Sequence, residues 1–154
     1  MGEQTGGPQI SAASVGVRAS NMKPKVLIVD DHEIVREGIR RLLSGSRPDW
    51  DIVGEATNGK QAIEAIQLLK PDVVVLDITM PGMSGLEVTS HVVKKKLDCR
   101  ILIFTMHESD RLGMEIRNAG AQGYVQKSQA SRDLIEAIES LLRGGTFFKD
   151  HPKT

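Results

Sequence analysis

The chain has 154 residues, enough to bury one substantial core, and shows no second composition regime that would mark another large domain. Its 20 basic and 20 acidic residues cancel, so the overall balance favours neither nucleic acid nor an anionic membrane, and any function built on charge must be local. The single cysteine, Cys99, excludes an internal disulfide and a cysteine-based zinc site, which fits a cytoplasmic setting, and no apolar run is long enough to span a bilayer.

Residues 1–22 are rich in Gly, Ser, Gln and Ala, lack sustained apolar periodicity and lack the apolar core of a signal peptide, so they read as a flexible extension. From Lys23 onward short apolar runs alternate with segments of helical period. Val26, Leu27, Ile28 and Val29 form a continuously apolar run, the mark of a strand buried on both faces. Val35, Ile39 and Leu42 then share one helical stripe. Ile52 to Ala56 is a weaker, more polar strand suited to a sheet edge. Asn58 with Gln61 starts a second helix, whose stripe is Ala62, Ile66 and Leu69. Val73 to Leu76 is a second fully apolar strand, and Ser84 with Glu87 makes the capping box that opens a third helix. Ile101 to Phe104 is the fourth strand, Leu112, Ile116 and Ala119 the next stripe, Gly123 to Gln126 a polar fifth strand, and Leu134, Ile138 and Leu141 the last stripe. Alternation of this kind predicts a parallel sheet covered by helices. With the second and fifth strands at the edges, the fold is α/β, a flavodoxin-like doubly wound (βα)5 of strand order 2-1-3-4-5, spanning residues 23–145, with 146–154 as the start of a linker or tail.

In such a sheet, ligands bind beyond the carboxyl ends of the strands, near the point where strand order reverses. The first strand ends in Asp30 and Asp31, the third in Asp77 and the fourth in Thr105, and Lys127 follows the fifth at once. Three converging carboxylates repel one another unless a cation intervenes. Carboxylates, waters and a backbone carbonyl from Thr79 suit octahedral Mg²⁺, whereas zinc would want cysteine or paired histidine. Lys127 adds a positive charge and Thr105 a hydroxyl donor, the two things that hold an anionic phosphoryl group on Asp77. Taken singly, each residue has an ordinary reading: an acidic pair capping a helix, a turn-forming Asp or Thr, a solvated Lys. Convergence of four strand ends on one edge favours the functional one.

Val29-Asp30-Asp31-His32, the run from Leu76-Asp77 through Met80-Pro81-Gly82 to Gly85, then Thr105, then Gly123-Tyr124-Val125-Gln126-Lys127 together resemble the receiver domain of two-component response regulators. The details of Thr105-Met106-His107 and Gly144-Gly145-Thr146-Phe147-Phe148 are most similar to the subfamily whose receivers precede a LuxR-type helix-turn-helix domain. The resemblance implies that Asp77 takes phosphate from a sensor histidine kinase or phosphotransfer protein, that Asp30, Asp31, Asp77 and the Thr79 carbonyl hold Mg²⁺, and that Lys127 and Thr105 contact the phosphoryl group. It implies further that Tyr124 is an aromatic switch whose orientation follows Thr105; its ordinary reading is a half-buried aromatic on an edge strand. Met80-Pro81-Gly82 reads as a turn with Pro at its second position and Gly at its third.

Many receivers have a small residue where this chain has Met106 and proline where it has Ser128; Met106 would partly shield an acyl phosphate. His32 and His107 read as solvated or locally hydrogen-bonded, not as ligands. A flavin-binding protein of the same topology would need a phosphate cradle where the acidic residues stand. An aspartyl-nucleophile hydrolase would have a second acid at Thr79 and a covering domain, so catalytic turnover of a small substrate is not expected. The resemblance leaves two outputs open: transcription through a LuxR-type DNA-binding domain, or a stand-alone phosphorelay receiver acting through protein contacts, with a second receiver as one reader of the switched surface. Lys94, Lys95 and Lys96 read as a solvated helix end, and direct DNA binding by this chain is not expected.

Overall fold

The computed structural model describes residues 22–107 and 109–149. The expected N-terminal extension, apart from Met22, and the tail beyond residue 149 lie outside the described residues. The chain alternates β1 (Lys25–Val29), α1 (Glu33–Ser46), β2 (Asp51–Ala56), α2 (Gly59–Leu69), β3 (Val73–Leu76), α3 (Gly85–Lys94), β4 (Arg100–Thr105), α4 (Asp110–Ala119), β5 (Gly123–Gln126), a single 3₁₀ turn (Lys127–Gln129), α5 (Ala130–Leu142) and β6 (Phe147–Phe148). All strand pairs are parallel and the order is β2-β1-β3-β4-β5-β6.

Period-two alternation splits the core into two layers. Val26 and Ile28 of β1, with Val73, Val75, Leu102 and Val125, meet α1 and α5 on one face through Ile39, Leu43, Leu134, Ile138 and Leu141. Leu27 and Val29, with Val74, Leu76, Ile101 and Ile103, meet α2, α3 and α4 on the other through Ala62, Ile66, Val88, Val92 and Ile116. Residues of both layers are essentially fully buried, each such aliphatic side chain contributing roughly 1.5–3 kcal/mol. In α1 the inward phase falls on Ile39 and Leu43, with Leu42 only partly buried beside them.

The helix starts follow their caps. Ser84 accepts from the Glu87 amide while the Glu87 carboxylate accepts from the Ser84 amide, completing the capping box. Asn58 accepts from the Gln61 amide, and the Gln61 side chain reaches back to Thr57 in place of the cap residue itself.

One expectation is corrected: β5 is not an edge strand. After α5 the chain turns back through Gly144 and Gly145 and lays β6 beside β5, with Phe147 opposite Gly123 and Phe148 opposite Tyr124. The added strand is held from three sides. Lys149 donates to the buried Asp133 of α5 at 2.8 Å, Arg117 of α4 stacks on Phe148 at 4.0 Å, and Ser140 donates to the Thr146 carbonyl. The sheet thus runs beyond residue 145.

Candidate functional site

Strands β1 and β3 lie side by side with Val29 opposite Leu76, and the ladder continues one step further. The Asp77 amide donates to the Val29 carbonyl at 3.0 Å and the Asp30 amide to the Ala56 carbonyl at 3.1 Å. Register therefore delivers Asp30 and Asp77 to one edge, where they are 1% and 4% exposed. Thr105, also buried, ends β4 opposite Gln126, so Lys127 follows immediately on the same edge. Asp31, Asp77, Thr79, Thr105 and Lys127 line an open cleft of about 490 Å³, together with His32, Met80, Pro81, Met106 and His107. Asp30 is not on its wall but reaches it through Lys127.

The Lys127 ammonium lies 2.7 Å from Asp30 Oδ2 and 3.5 Å from Asp77 Oδ1. Burial first, and then the negative charge of Asp30, push the Asp77 carboxyl above its ordinary pKa, while Lys127 and the Thr79 amide pull it back. The Thr79 amide faces Asp77 Oδ1 at 3.4 Å. Asp30 Oδ1 accepts from the His32 amide at 2.8 Å and lies 3.0 Å from His32 Nδ1. Helix α1 is capped at His32 without a side-chain bond, so the acidic pair is not engaged in capping it.

Asp31 differs from its neighbours. Its Oδ1 is buried, 3.1 Å from His32 Nδ1, yet makes no hydrogen bond. A buried acceptor left unbonded is costly, and a hard cation is the partner that suits it. Asp30, Asp31, Asp77 and His32 each present a ligand atom within 4.8 Å of the others, and three carboxylates against one ammonium leave two negative charges for a divalent ion to cancel. The donor set therefore fits a divalent metal; His32 joins the cluster spatially, with its Nδ1 turned to Asp30 and Asp31.

Tyr124 is 7% exposed, more buried than an edge aromatic would be, because β6 and α4 cover its strand. Its hydroxyl donates to the His107 carbonyl at 2.7 Å, and the Thr105 hydroxyl oxygen accepts from the His107 amide at 3.2 Å. Met106 borders the cleft but is 77% exposed. Lys94, Lys95 and Lys96 are exposed at the end of α3.

Three contributors act through tertiary geometry that the sequence does not display. Gly85, which ends the run that begins at Leu76, donates to the Ile78 carbonyl, and a Cβ there would lie 2.2 Å from the Asp77 carbonyl oxygen. His107 contributes through its backbone, to which side-chain type is blind. Arg36, one turn into α1, donates to the Asp30 carbonyl at 2.8 Å.

Residues 26–139 match the response regulator receiver domain family, and the chain belongs to that family. It is 38% identical over 126 residues to the nitrate/nitrite response regulator protein NarL of Escherichia coli, covering 81% of this chain and 58% of that protein. To the response regulator UvrY of the same organism it is 40% identical over 119 residues, covering 77% and 54%. The chain thus spans little more than half the length of these curated relatives. Among solved structures, a two-component response regulator of the LuxR family from Aurantimonas aligns over 81% of this chain and 89% of its own with 42% identity and a TM-score of 0.77. The isolated receiver domain of RcsB from Salmonella enterica, in the presence of the phosphomimetic BeF3⁻, aligns over 83% and 94% with 27% identity and a TM-score of 0.75. The receiver is of the LuxR/NarL type. Among the described residues no helix is long and apolar enough to cross a membrane.

Proposed function

We propose that the chain is a Mg²⁺-dependent phosphoryl acceptor that takes phosphate onto Asp77 from a sensor histidine kinase or phosphotransfer protein. The observation that carries this reading is the meeting of Asp77, the unbonded Asp31 oxygen and the Lys127 ammonium in one open cleft of a receiver fold. In the transfer an Asp77 carboxylate oxygen attacks the phosphorus, the phosphorus–nitrogen bond of the donor phosphohistidine breaks, and the imidazole leaves with the bonding pair. Asp30, Asp31, Asp77 and Thr79 would hold the Mg²⁺, whose contribution is to neutralise charge on the phosphoryl oxygens. Lys127, within reach of Asp77, pairs with the transferred group, and Thr105 donates its hydroxyl to it. The domain assists its own phosphorylation and dephosphorylation; the protein is a signalling switch, not a turnover enzyme.

The output is transcription through a LuxR-type DNA-binding domain outside this chain, which is itself neutral in net charge and contacts no DNA directly. A stand-alone relay receiver is the alternative, and the native coding sequence past Thr154 distinguishes them. Function is placed in the cytoplasm, where the donor kinase domain acts. Incubation with acetyl phosphate and Mg²⁺ followed by intact-mass measurement should give one phosphoryl adduct on the wild type and none on Asp77→Asn or in excess EDTA. Undiminished adduct on the variant places the acceptor elsewhere.

A further inference from the structure

Asp30 is tethered at every polar atom. Its amide donates to Ala56, its carbonyl accepts from Arg36, Oδ1 accepts from His32 and Oδ2 from Lys127. Asp31, the next residue, has a buried carboxylate oxygen that makes no hydrogen bond and lies 3.1 Å from His32 Nδ1. The two are joined by one peptide unit, whose carbonyl end is the group that Arg36 grips, and a planar peptide fixed at its carbonyl fixes the direction in which the following residue leaves it. Arg36 is itself held: it is 13% exposed, its Nε donates to Glu55 of β2 at 2.8 Å, and Glu55 is braced by Arg40 at 2.5 Å.

We infer that Arg36 is a positioning residue for the cation, locking the Asp30–Asp31 peptide so that the Asp31 carboxylate is held in place before the ion arrives. The inference rests on the reading of this cleft as a divalent-cation site. Its sign separates it from plain electrostatics. Arg36 is a positive charge beside that site, so Coulomb's law alone makes a neutral replacement bind a divalent ion more tightly. Loss of a group that orients a ligand weakens binding, commonly by tenfold or more.

The test is calorimetric titration of the full chain with Mg²⁺, comparing wild type, Arg36→Met and Arg36→Lys, with amide chemical shifts of Asp31 and His32 recorded alongside. The expected result is a Kd raised roughly tenfold in Arg36→Met and partly restored in Arg36→Lys, which keeps a donor but loses the fork that spans Glu55 and the Asp30 carbonyl. In acetyl phosphate uptake the Arg36→Met defect should appear as a higher half-saturating Mg²⁺ concentration, recovered by added metal. Equal or tighter Mg²⁺ binding by Arg36→Met overturns the inference. Should circular dichroism show Arg36→Met unfolded, unchanged affinity in Arg36→Lys overturns it instead. A wild-type chain that binds no Mg²⁺ overturns the proposed function, and this inference with it; a normal wild type with an indifferent Arg36 overturns the inference alone.

Discussion

The hydroxyls of Thr105 and Tyr124 are joined through one residue: Thr105 accepts from the His107 amide and Tyr124 donates to the His107 carbonyl. A phosphoryl group on Asp77 offers strong acceptor oxygens to the Thr105 hydroxyl. Drawing Thr105 toward them strains its bond to His107, and the Tyr124 hydroxyl is held by the same residue. Beryllofluoride with Mg²⁺ should therefore shift amide resonances across β5, α4 and α5, as a change in population of two packing states. In Thr105→Ala those distant shifts should fall by more than half. Equal shifts in the variant exclude Thr105 as the coupling residue even if Asp77 is the acceptor.

Burial and Asp30 raise the Asp77 pKa, so folding favours its protonated form. In metal-free solution that contribution is complete below the unfolded carboxylate pKa and is lost as pH rises through the raised folded value. Asp77→Asn removes the titration. Its Tm in EDTA should exceed that of the wild type at neutral pH, and the gap should close as pH falls into the ordinary carboxylate range, about pH 4. A gap that does not vary with pH contradicts this cause.

A methyl group at position 85 would press on the Asp77 carbonyl oxygen and on Ile78. Gly85→Ala should cost roughly 1–3 kcal/mol in urea denaturation and displace the loop that carries Asp77, lowering phosphoryl uptake as well. Stability and uptake both at wild-type level would show that α3 can draw back freely.

Lys149→Met leaves the Asp133 carboxylate, 6% exposed, without this partner. Lys149 is itself half exposed, so solvent screens the pair and the expected loss is only about 1 kcal/mol. Amide exchange at Phe147 and Phe148 should accelerate while that at Val74 and Val75 stays slow. Uniform acceleration would mean that β6 is not a separable unit.

Local pattern revealed most of the sheet. Val26–Val29 and Val73–Leu76 are apolar at every position, short and rich in β-branched residues, as a strand covered on both faces is, so their ends and the acids following them could be placed in advance. Strand β6 escaped because two aromatic residues after a Gly pair show no period; its place depends on Gly123, Asp133 and Arg117, all distant in sequence. That Lys127 lies nearer Asp30 than Asp77 was equally hidden, since residue type names the charges but not the spacing between strand ends. The reach of Arg36 to a backbone carbonyl is tertiary geometry, which no local pattern carries.

Strand β6 also replaces the open edge of β5 with an edge only two residues long. By pairing with Gly123 and Tyr124 it occupies backbone groups that would otherwise stand as a template for another chain. A polypeptide cut back to Gly145 keeps every group around Asp77 yet bares that ladder, so the place of the cut governs self-association and solubility independently of whether the phosphorylation site survives.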